Sequence, residues 1–260
     1  MIGVFDSGYG GLTVFKPLAE KFPKYDFIYF GDNARTPYGS REPQEIYEFT
    51  RQAVDWLFKN GCELIILACN TASSQALRKI QHALPDKKVL GVLIPIAKKV
   101  ATLEGTIGIL ATQATVESGA YLRELKKYGH PMSKIFQVAA PKLVPLIEAG
   151  MIYHSAMKEA LRRYLDPFKK QNIKNIILGC THYPLIKNII QSEMPDAQIF
   201  DSPSVIPVSL ENYLSRHLEI KKRIGSNGLR RYITTGDPEK FSKFAKDLLN
   251  IKIAPEKIIL

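Results

Sequence analysis

The sequence predicts an α/β protein whose strands lie in parallel sheets. Short apolar runs alternate with amphipathic stretches along all 260 residues, which is typical of strands joined by crossover helices. Several runs are apolar almost throughout, as expected of strands that helices cover on both faces. The composition, with 45% hydrophobic and 23% charged residues, is that of an ordinary globular protein.

The apolar runs predict short strands at residues 1–5, 26–30, 63–68, 88–93, 106–111, 134–138, 174–179, 197–200 and 231–234. The spacing of apolar residues between them predicts helices at 43–59, 72–84 and 116–128, and a short helix from Leu143 that stops at Gly150. The first of these helices has Pro43 at its start and Gly61 just past its end, where these residue types favour initiation and termination.

Several classes of protein are disfavoured by the sequence. No apolar run approaches the roughly 20 residues that span a bilayer, and the N-terminus lacks the basic segment of a signal peptide. The three cysteines, Cys62, Cys69 and Cys180, are an odd number and form no CxxC pair. We therefore expect a cytoplasmic protein with no membrane partner, no disulfide framework and no metal site.

The net charge of +11 raises the question of nucleic-acid binding, because clustered Lys and Arg neutralise phosphates. The basic residues are instead scattered, mostly as pairs such as Lys98-Lys99, with one triplet at 221–223. A solvated surface that attracts an anionic small molecule is the preferred interpretation. Nucleic acid is not expected as a partner, although a nucleic-acid-binding protein remains the alternative from a different functional class.

Four polar clusters fall where predicted strands end. They are Asp6-Ser7-Gly8, Gly31-Asp32-Asn33, Cys69-Asn70-Thr71 and Cys180-Thr181-His182. In open α/β sheets, ligands gather at the carboxyl ends of the strands, so we expect these clusters to form one site. The glycine-rich turn after Asp6 matches neither GxGxxG nor a P-loop, which makes a nucleotide site improbable there.

The two strand-end cysteines are the most informative pair. Either cysteine alone is best explained by core packing, because free Cys is among the most buried residue types. As a pair, a thiolate and a thiol on opposite sides of a small site can remove a proton from carbon on one face and return it on the other. A hydrolase with Cys180 as nucleophile and His182 as base is the alternative, but it leaves Cys69 without a role.

The motifs that surround these cysteines resemble those of the glutamate racemase family. They read Asp-Ser-Gly-x-Gly-Gly-Leu at 6–12, Gly-Asp-x-Ala-Arg-x-Pro-Tyr-Gly at 31–39, Ala-Cys-Asn-Thr-Ala-Ser at 68–73 and Gly-Cys-Thr-His-Tyr-Pro-Leu at 179–185. Further matches lie at 144–150 and 234–241, so the resemblance runs in order over nearly the whole chain. The related aspartate and hydantoin racemases share the two cysteines but not this full set.

The resemblance implies cofactor-independent interconversion of L- and D-glutamate, which supplies D-glutamate for peptidoglycan. It also implies two similar α/β domains with mainly parallel sheets and the active site in the cleft between them. We expect residues 1–93 and 207–260 to form the first domain and residues 94–206 the second. We further expect glutamate as the small-molecule partner and a homodimer, while a racemase of another acidic amino acid remains the nearest alternative.

The resemblance also implies roles for individual residues. Cys69 would be the base that acts on the D-isomer and Cys180 the base that acts on the L-isomer. Asp6 would assist Cys69, while Glu148 and His182 would accompany Cys180. The substrate would be held by residues with hydroxyl, amide or charged groups or accessible backbone, namely Asp6, Ser7, Tyr38, Gly39, Asn70, Thr71, Thr112, Thr115, Thr181 and His182.

Two positions depart from the family pattern. Ile94 stands where an acidic residue is usual, and Tyr9 stands where a small apolar residue is usual. The departure at Ile94 affects the expected local interactions after the fourth strand and leaves the cysteine pair unaffected. The second predicts altered access to the site.

Overall fold

The computed structural model describes the whole chain, from Met1 to Leu260. Its ten strands are Ile2–Asp6 (β1), Phe27–Gly31 (β2), Leu64–Leu67 (β3), Lys88–Gly91 (β4), Ile107–Ala111 (β5), Ile135–Ala139 (β6), Asn175–Gly179 (β7), Gln198–Phe200 (β8), Arg230–Thr234 (β9) and Pro255–Lys257 (β10). They form a six-stranded sheet in the order β10-β9-β2-β1-β3-β4 and a four-stranded sheet in the order β6-β5-β7-β8. Every strand pair is parallel. The prediction of an α/β protein with two parallel sheets is confirmed.

Thirteen α-helices connect and cover the strands. They are Leu12–Lys21 (α1), Pro43–Lys59 (α2), Asn70–Gln75 (α3), Leu77–Ala83 (α4), Leu93–Ala101 (α5), Gln113–Glu117 (α6), Ala120–Lys127 (α7), Leu143–Glu148 (α8), Ser155–Lys170 (α9), Lys187–Glu193 (α10), Ser202–Arg216 (α11), Leu218–Arg223 (α12) and Pro238–Leu249 (α13). Short 3-10 helices lie at Tyr38–Ser40, Met132–Lys134 and Tyr183–Ile186. None of the helices is both long enough and apolar enough to cross a membrane.

Three sequence-based predictions differ from the structure in detail. The predicted helix at 72–84 is two helices that meet at Ala76, and the one at 116–128 is broken at Gly119, whose φ of +61° lies in the left-handed region. The predicted strand at 88–93 ends at Gly91, because α5 begins at Leu93. Strand β10 was not predicted, because its three residues are Pro, Glu and Lys at a sheet edge and carry no apolar signal.

Each sheet is covered by helices on both faces. Consecutive residues of β1, Val4 and Phe5, belong to two different apolar clusters on opposite sides of the six-stranded sheet. In the same way, Leu110 and Ile109 of β5 belong to separate clusters on the two sides of the four-stranded sheet. We call the elements that pack on each sheet the six-stranded half and the four-stranded half.

The chain passes twice between the halves. Val92 packs in the core of the six-stranded half, whereas Leu93 packs in the core of the four-stranded half. On the return, Val205 belongs to the four-stranded half and Ile206 to the six-stranded half. Helix α11 also packs against both α1 and α5. The exact domain boundaries, between residues 93 and 94 and between residues 206 and 207, stay a prediction. The changes of core membership next to both positions support them.

Strands β9 and β10 return to the six-stranded sheet near the end of the chain. Asp26, just before β2, is buried and accepts hydrogen bonds from the backbone N–H of Asn227 (3.0 Å) and Leu229 (2.8 Å) and from Asn227 Nδ2 (3.1 Å). Burial opposes ionisation of this carboxyl, but the hydrogen bonds outweigh it and lower the pKa of Asp26. Asp26 therefore fixes the start of β9 against β2.

We expect Asp26→Ala to lower the free energy of unfolding by about 2–3 kcal/mol at pH 7, because the N–H groups of Asn227 and Leu229 lose a charged acceptor. Since the folded-state pKa of Asp26 is depressed, its ionic contribution is present above the unfolded pKa of about 3.9 and is lost as pH falls through the folded value. Urea unfolding at several pH values measures both effects. Asp86→Ala, at an exposed loop position, is the control and should change the stability little.

Candidate active site

A cavity of about 160 Å³ lies at the carboxyl ends of the strands, between the two halves. Segments that follow β1, β3, β5 and β7 all reach it, as the parallel arrangement requires. Its volume is below the roughly 300–1,000 Å³ of sites for drug-sized ligands, so it suits a small molecule. The lining residues are Ser7, Thr36, Pro37, Tyr38, Gly39, Ser40, Cys69, Asn70, Thr71, Thr112, Gln113, Ala140, Pro141, Val144, Pro145, Cys180, Thr181 and His182.

Cys69 lies in the six-stranded half, at the N-cap of α3. Its Sγ accepts a hydrogen bond from the backbone N–H of Ala72 (3.4 Å) and is 3.3 Å from Ser7 Oγ. The helix amides favour the thiolate, as expected, but burial and the nearby charge of Asp6 outweigh them and raise the pKa of Cys69 to about 12. In the unliganded protein Cys69 is therefore a protonated thiol at neutral pH.

Cys180 lies in the four-stranded half, directly after β7. Its Sγ is 3.8 Å from Nδ1 of His182, and Nε2 of the same ring is 2.9 Å from Glu148 Oε1. Burial disfavours the charged imidazole, but its hydrogen bonds to Cys180 and Glu148 outweigh burial and raise the pKa of His182 to about 10. His182 is thus an imidazolium at neutral pH, with one N–H for each partner.

Asp6 lies behind the cavity wall and joins the two halves. It is 1% exposed, and its carboxylate accepts hydrogen bonds from the backbone N–H of Gly8 (2.9 Å) and from Thr181 Oγ1 (3.2 Å). Burial raises the pKa of Asp6 despite these bonds and the positive charge of His182. Thr181 makes a second contact with the six-stranded half, because Thr13 Oγ1 of α1 donates to the Thr181 carbonyl oxygen (2.8 Å).

Three threonine hydroxyls form a second connection across the cleft. Thr71 Oγ1 is 2.9 Å from Thr112 Oγ1 and 3.4 Å from Thr115 Oγ1, and Thr112 donates to Thr115 (2.9 Å). Thr71 comes from the six-stranded half and the other two from the loop and helix after β5. Thr71 and Thr112 line the cavity, whereas Thr115 is fully buried behind them.

Asn70 follows Cys69 on the cavity wall and is only 2% exposed. Its Oδ1 accepts a hydrogen bond from Tyr121 OH (2.9 Å), while its Nδ2 has no partner within the protein. A buried amide nitrogen without a partner costs free energy unless a ligand or water accepts from it. Asn70 therefore offers a donor to whatever occupies the cavity.

The loop after β2 closes one side of the cavity with Tyr38 and Gly39. Tyr38 OH donates to Asp32 Oδ2, and Asp32 also accepts from Arg35 Nε (2.7 Å) and Thr235 Oγ1 (2.7 Å). Asp32 thereby fixes the loop to the C-terminal segment. The sequence places Asp32 in a polar strand-end cluster, but nothing in the sequence indicates that it holds Tyr38 from behind.

Most of the predicted site residues therefore line the cavity. The exceptions are Asp6, Thr115 and Glu148, which lie behind it and contact lining residues. Among the polar lining residues, Thr36, Ser40 and Gln113 were not predicted. Thr36 lies within the motif at 31–39, Ser40 directly follows that motif and Gln113 directly follows Thr112, which was the available signal. No group of three or more His, Cys, Asp or Glu residues is arranged to hold a metal ion.

Tyr9 does not line the cavity, and the expectation that it alters access to the site stays a prediction. Its ring stacks on Phe244 of α13 at 5.0 Å between centroids and lies 5.5 Å from Phe241. Phe244 in turn meets the His182 ring edge-on at 6.1 Å. A large side chain at position 9 thus packs with the C-terminal helix, behind the His182–Glu148 pair.

The profile of the Asp/Glu/Hydantoin racemase family matches residues 5–207. The chain belongs to this family. It is 40% identical to the glutamate racemase of Sulfurihydrogenibium sp. over 262 aligned residues, covering 100% of this chain and 97% of that protein.

Solved structures give the same result. A glutamate racemase isoform from Bacillus anthracis superposes with a TM-score of 0.92 at 32% identity, covering 100% of this chain and 97% of that one. The glutamate racemase of Francisella tularensis, solved with D-glutamate, gives 0.90 at 33% identity, with 99% and 97% covered. An aspartate racemase from Picrophilus torridus shares the fold at 0.54 with 16% identity. The resemblance to glutamate racemases inferred from the motifs is confirmed.

Because the folded-state pKa of Cys69 is about 12, we expect its alkylation in this racemase-family protein to be slow at neutral pH. The thiolate fraction is about a thousandfold below that of a free cysteine with a pKa of about 8.5, so the rate should rise about tenfold per pH unit beyond pH 9. Iodoacetamide labelling of a Cys62→Ala/Cys180→Ala variant, in which Cys69 is the sole thiol, measures this rate. A rate that levels off near neutral pH would contradict the raised pKa.

Proposed function

We propose that this chain is a glutamate racemase that interconverts L- and D-glutamate by proton transfer at Cα between Cys69 and Cys180. The observation that carries the proposal is that both thiols line one small cavity from opposite halves, each beside its own ionisable partner. No organic cofactor enters the proposed chemistry. The product D-glutamate would supply peptidoglycan synthesis.

In the proposed reaction one sulphur acts as base and the other as acid. With L-glutamate, Cys180 as thiolate takes the Cα proton, so the C–H bond breaks and an S–H bond forms. The Cys69 thiol then gives its proton to the opposite face of the carbanion, and a new C–H bond forms. With D-glutamate the two cysteines exchange roles. No covalent bond forms between sulphur and carbon.

The two sulphurs have different electrostatic surroundings. On the Cys180 side, the His182 imidazolium stabilises the negative charge of the base and is itself held by Glu148. On the Cys69 side, Asp6 contributes a nearby acidic group, and both groups have raised pKa values because they are buried. The α-ammonium of glutamate would bring a positive charge to this side and lower the cost of ionising Cys69.

The carboxylates of glutamate require donors, and the cavity is rich in them. Ser7, Thr71, Thr112 and Thr181 contribute hydroxyls, Asn70 contributes an unpartnered N–H, and the Tyr38–Gly39 turn adds ring and backbone. Preorganised donors stabilise the negative charge that develops at Cα and its carboxylate in the transition state. They can therefore promote removal of a very weakly acidic proton without an electron-withdrawing cofactor.

The domain boundaries, homodimer and cytoplasmic location also belong to this proposal. We propose domains of residues 1–93 with 207–260 and of residues 94–206, so that relative motion of the two would admit glutamate and then exclude water. The change of core membership at Val92–Leu93 and Val205–Ile206 supports this division. Sedimentation of the purified protein tests the dimer.

A thiol hydrolase is the second candidate, because Cys180, His182 and Glu148 form a nucleophile–base–acid sequence of contacts. In that mechanism the sulphur bonds to substrate carbon and Cys69 has no chemical role. The effect of removing Cys69 therefore separates the two candidates.

The proposed activity is tested by incubating the purified chain with L-glutamate in D₂O without added cofactor. We expect D-glutamate to appear with deuterium at Cα, because the proton returned comes from a thiol that exchanges with solvent. Chiral chromatography with mass spectrometry measures product and label. Turnover of L-aspartate in preference to L-glutamate, or product without deuterium, would contradict the proposal.

Cys69→Ala and Cys180→Ala should each lower racemisation by at least about a thousandfold, since each removes an acid–base group. Any residual Cα–H exchange should occur with L-glutamate in Cys69→Ala and with D-glutamate in Cys180→Ala. Cys62→Ala is the matched control, because Cys62 is a buried thiol outside the cavity, and it should stay active. Substantial racemisation by Cys69→Ala would contradict the two-base mechanism. Hydrolysis that survives in Cys69→Ala would favour the hydrolase.

Glu148→Gln should shift the alkaline limb of the pH profile of kcat/KM to lower pH. Glu148 raises the pKa of His182, which is about 10, so its removal lowers the pH at which the imidazolium loses its proton. The initial rate with L-glutamate between pH 6 and pH 11 measures the limb. Glu20→Gln, an exposed change on α1, is the control. An unchanged limb would remove His182 from this role.

A further inference from the structure

Tyr121 touches the segments of both cysteines. It lies on α7 in the four-stranded half and is fully buried. Its hydroxyl donates to Asn70 Oδ1 (2.9 Å), and Asn70 directly follows Cys69. Its ring edge packs on Gly179, which directly precedes Cys180, so closely that a Cβ added at Gly179 would lie 3.3 Å from Tyr121 Cε2. One side chain thus connects the two strand ends that carry the thiols.

The hydroxyl of Tyr121 also determines which way round the Asn70 amide lies. A phenol has one hydrogen to donate, and Asn70 Oδ1 is the acceptor that the structure provides. Burial raises the pKa of Tyr121, so the phenol keeps this hydrogen at every physiological pH. If the amide were reversed, Nδ2 could donate to the phenolic oxygen, but the phenolic hydrogen would lose the acceptor that Oδ1 provides. Asn70 Nδ2 is consequently the atom left without a protein partner.

We propose that Tyr121 is a positioning residue, which fixes the amide of Asn70 so that Nδ2 donates to a carboxylate oxygen of the bound amino acid. The inference rests on the proposed racemase function. It follows from three observations, namely the hydrogen bond from Tyr121, the position of Asn70 on the cavity wall, and its unpartnered and buried Nδ2. A reversed amide would present its oxygen to the carboxylate and repel it.

The proposed role has a kinetic signature. A carboxylate already carries a full negative charge in the ground state, so most of what one donor contributes to it is uniform binding, and loss of that donor raises KM more than it lowers kcat. Since L- and D-glutamate have equal free energies, kcat/KM must be the same in the two directions and must fall equally for both. If Tyr121 served only to pack the core, its substitution would lower the amount of folded protein and would not raise KM while leaving kcat nearly unchanged.

Tyr121→Phe is the direct test, because it removes the hydroxyl and retains the ring on Gly179. We expect KM for both enantiomers to rise about tenfold, as for loss of one hydrogen bond to a charged group, with kcat changed less than threefold. In an Asn70→Ala background the same substitution should raise KM no further, since the amide is already absent. An unchanged KM in the single variant, or an equal rise in both backgrounds, would overturn the proposal.

Asn70→Asp tests the orientation without altering Tyr121. The aspartate keeps an oxygen for the tyrosine but replaces Nδ2 by a second oxygen, so KM should rise more than in Tyr121→Phe through repulsion of the carboxylate. Unchanged KM in Asn70→Asp would mean that an oxygen already faces the ligand, and the proposal would fail. If Tyr121→Phe does not fold, unchanged KM in Asn70→Asp still overturns the proposal.

Thr50→Val is the matched control for loss of a buried hydroxyl. Thr50 Oγ1 donates to Ile46 O (2.6 Å) within α2 and does not line the cavity. It should lower the melting temperature and leave KM unchanged.

Titration calorimetry with D-glutamate on a Cys69→Ala background separates this inference from the proposed function. If the wild-type chain does not racemise glutamate but binds it, and Tyr121→Phe weakens binding about tenfold, the positioning role survives and the racemase proposal fails. If wild type racemises glutamate and Tyr121→Phe binds it normally, only the positioning role fails. Absence of glutamate binding by the wild-type chain would overturn both.

Discussion

The hydrogen bond from Thr181 to the buried carboxylate of Asp6 is the contact on which the site depends. Asp6 ends β1 of one sheet, and Thr181 follows the last residues of β7 in the other, so the bond joins the carboxyl ends of both sheets. Thr181 directly follows Cys180, and Asp6 lies within electrostatic range of Cys69. A carboxylate that is 1% exposed cannot remain without donors, and while Gly8 N–H serves one oxygen from the same half, the donor to the other oxygen comes from the opposite half. The relative position of the two thiols therefore depends on the hydrogen bond that Thr181 donates to the buried Asp6 carboxylate.

The charges around the cavity are asymmetric although the reaction is symmetric. An acidic group accompanies Cys69, whereas a cation held by Glu148 accompanies Cys180. The proposed reaction requires one sulphur to be protonated and the other ionised at the start of each turnover, and both arrangements must be stabilised. The raised pKa of Cys69 keeps this thiol protonated in the unliganded protein. In the proposed reaction, the charges of the amino acid lower the cost of the arrangement in which Cys69 is ionised, so the substrate is part of the electrostatics of its own site.

Much of the fold and the site was predictable from sequence because the signals were local. Helix α2 matches its predicted bounds, since Pro43, an apolar face and Gly61 mark it, and strands covered on both faces are recognised by continuous apolar runs. Strand β10 was not predicted, because its three residues carry no apolar signal, and the breaks at Ala76 and Gly119 lie within stretches whose apolar spacing fits one continuous helix. At the site, residues next to the cysteines were predicted from motifs. Tyr121 and Asp32 were not assigned, since a residue that orients another through a hydrogen bond has no sequence pattern of its own.

The return of the chain to the six-stranded sheet affects how the protein is made. Strand β9 pairs with β2 across about 200 residues, with Phe27 opposite Arg230, and Phe244 of the last helix packs on His182. During synthesis the four-stranded half has left the ribosome while β2 still lacks a neighbour on one side. The nascent chain therefore carries an unpaired strand edge for most of its synthesis. Contacts between residues so far apart in sequence also form slowly. The candidate active site is thus completed late, when Phe244 of the last helix reaches His182. Until then the growing chain depends on protection of the unpaired edge of β2.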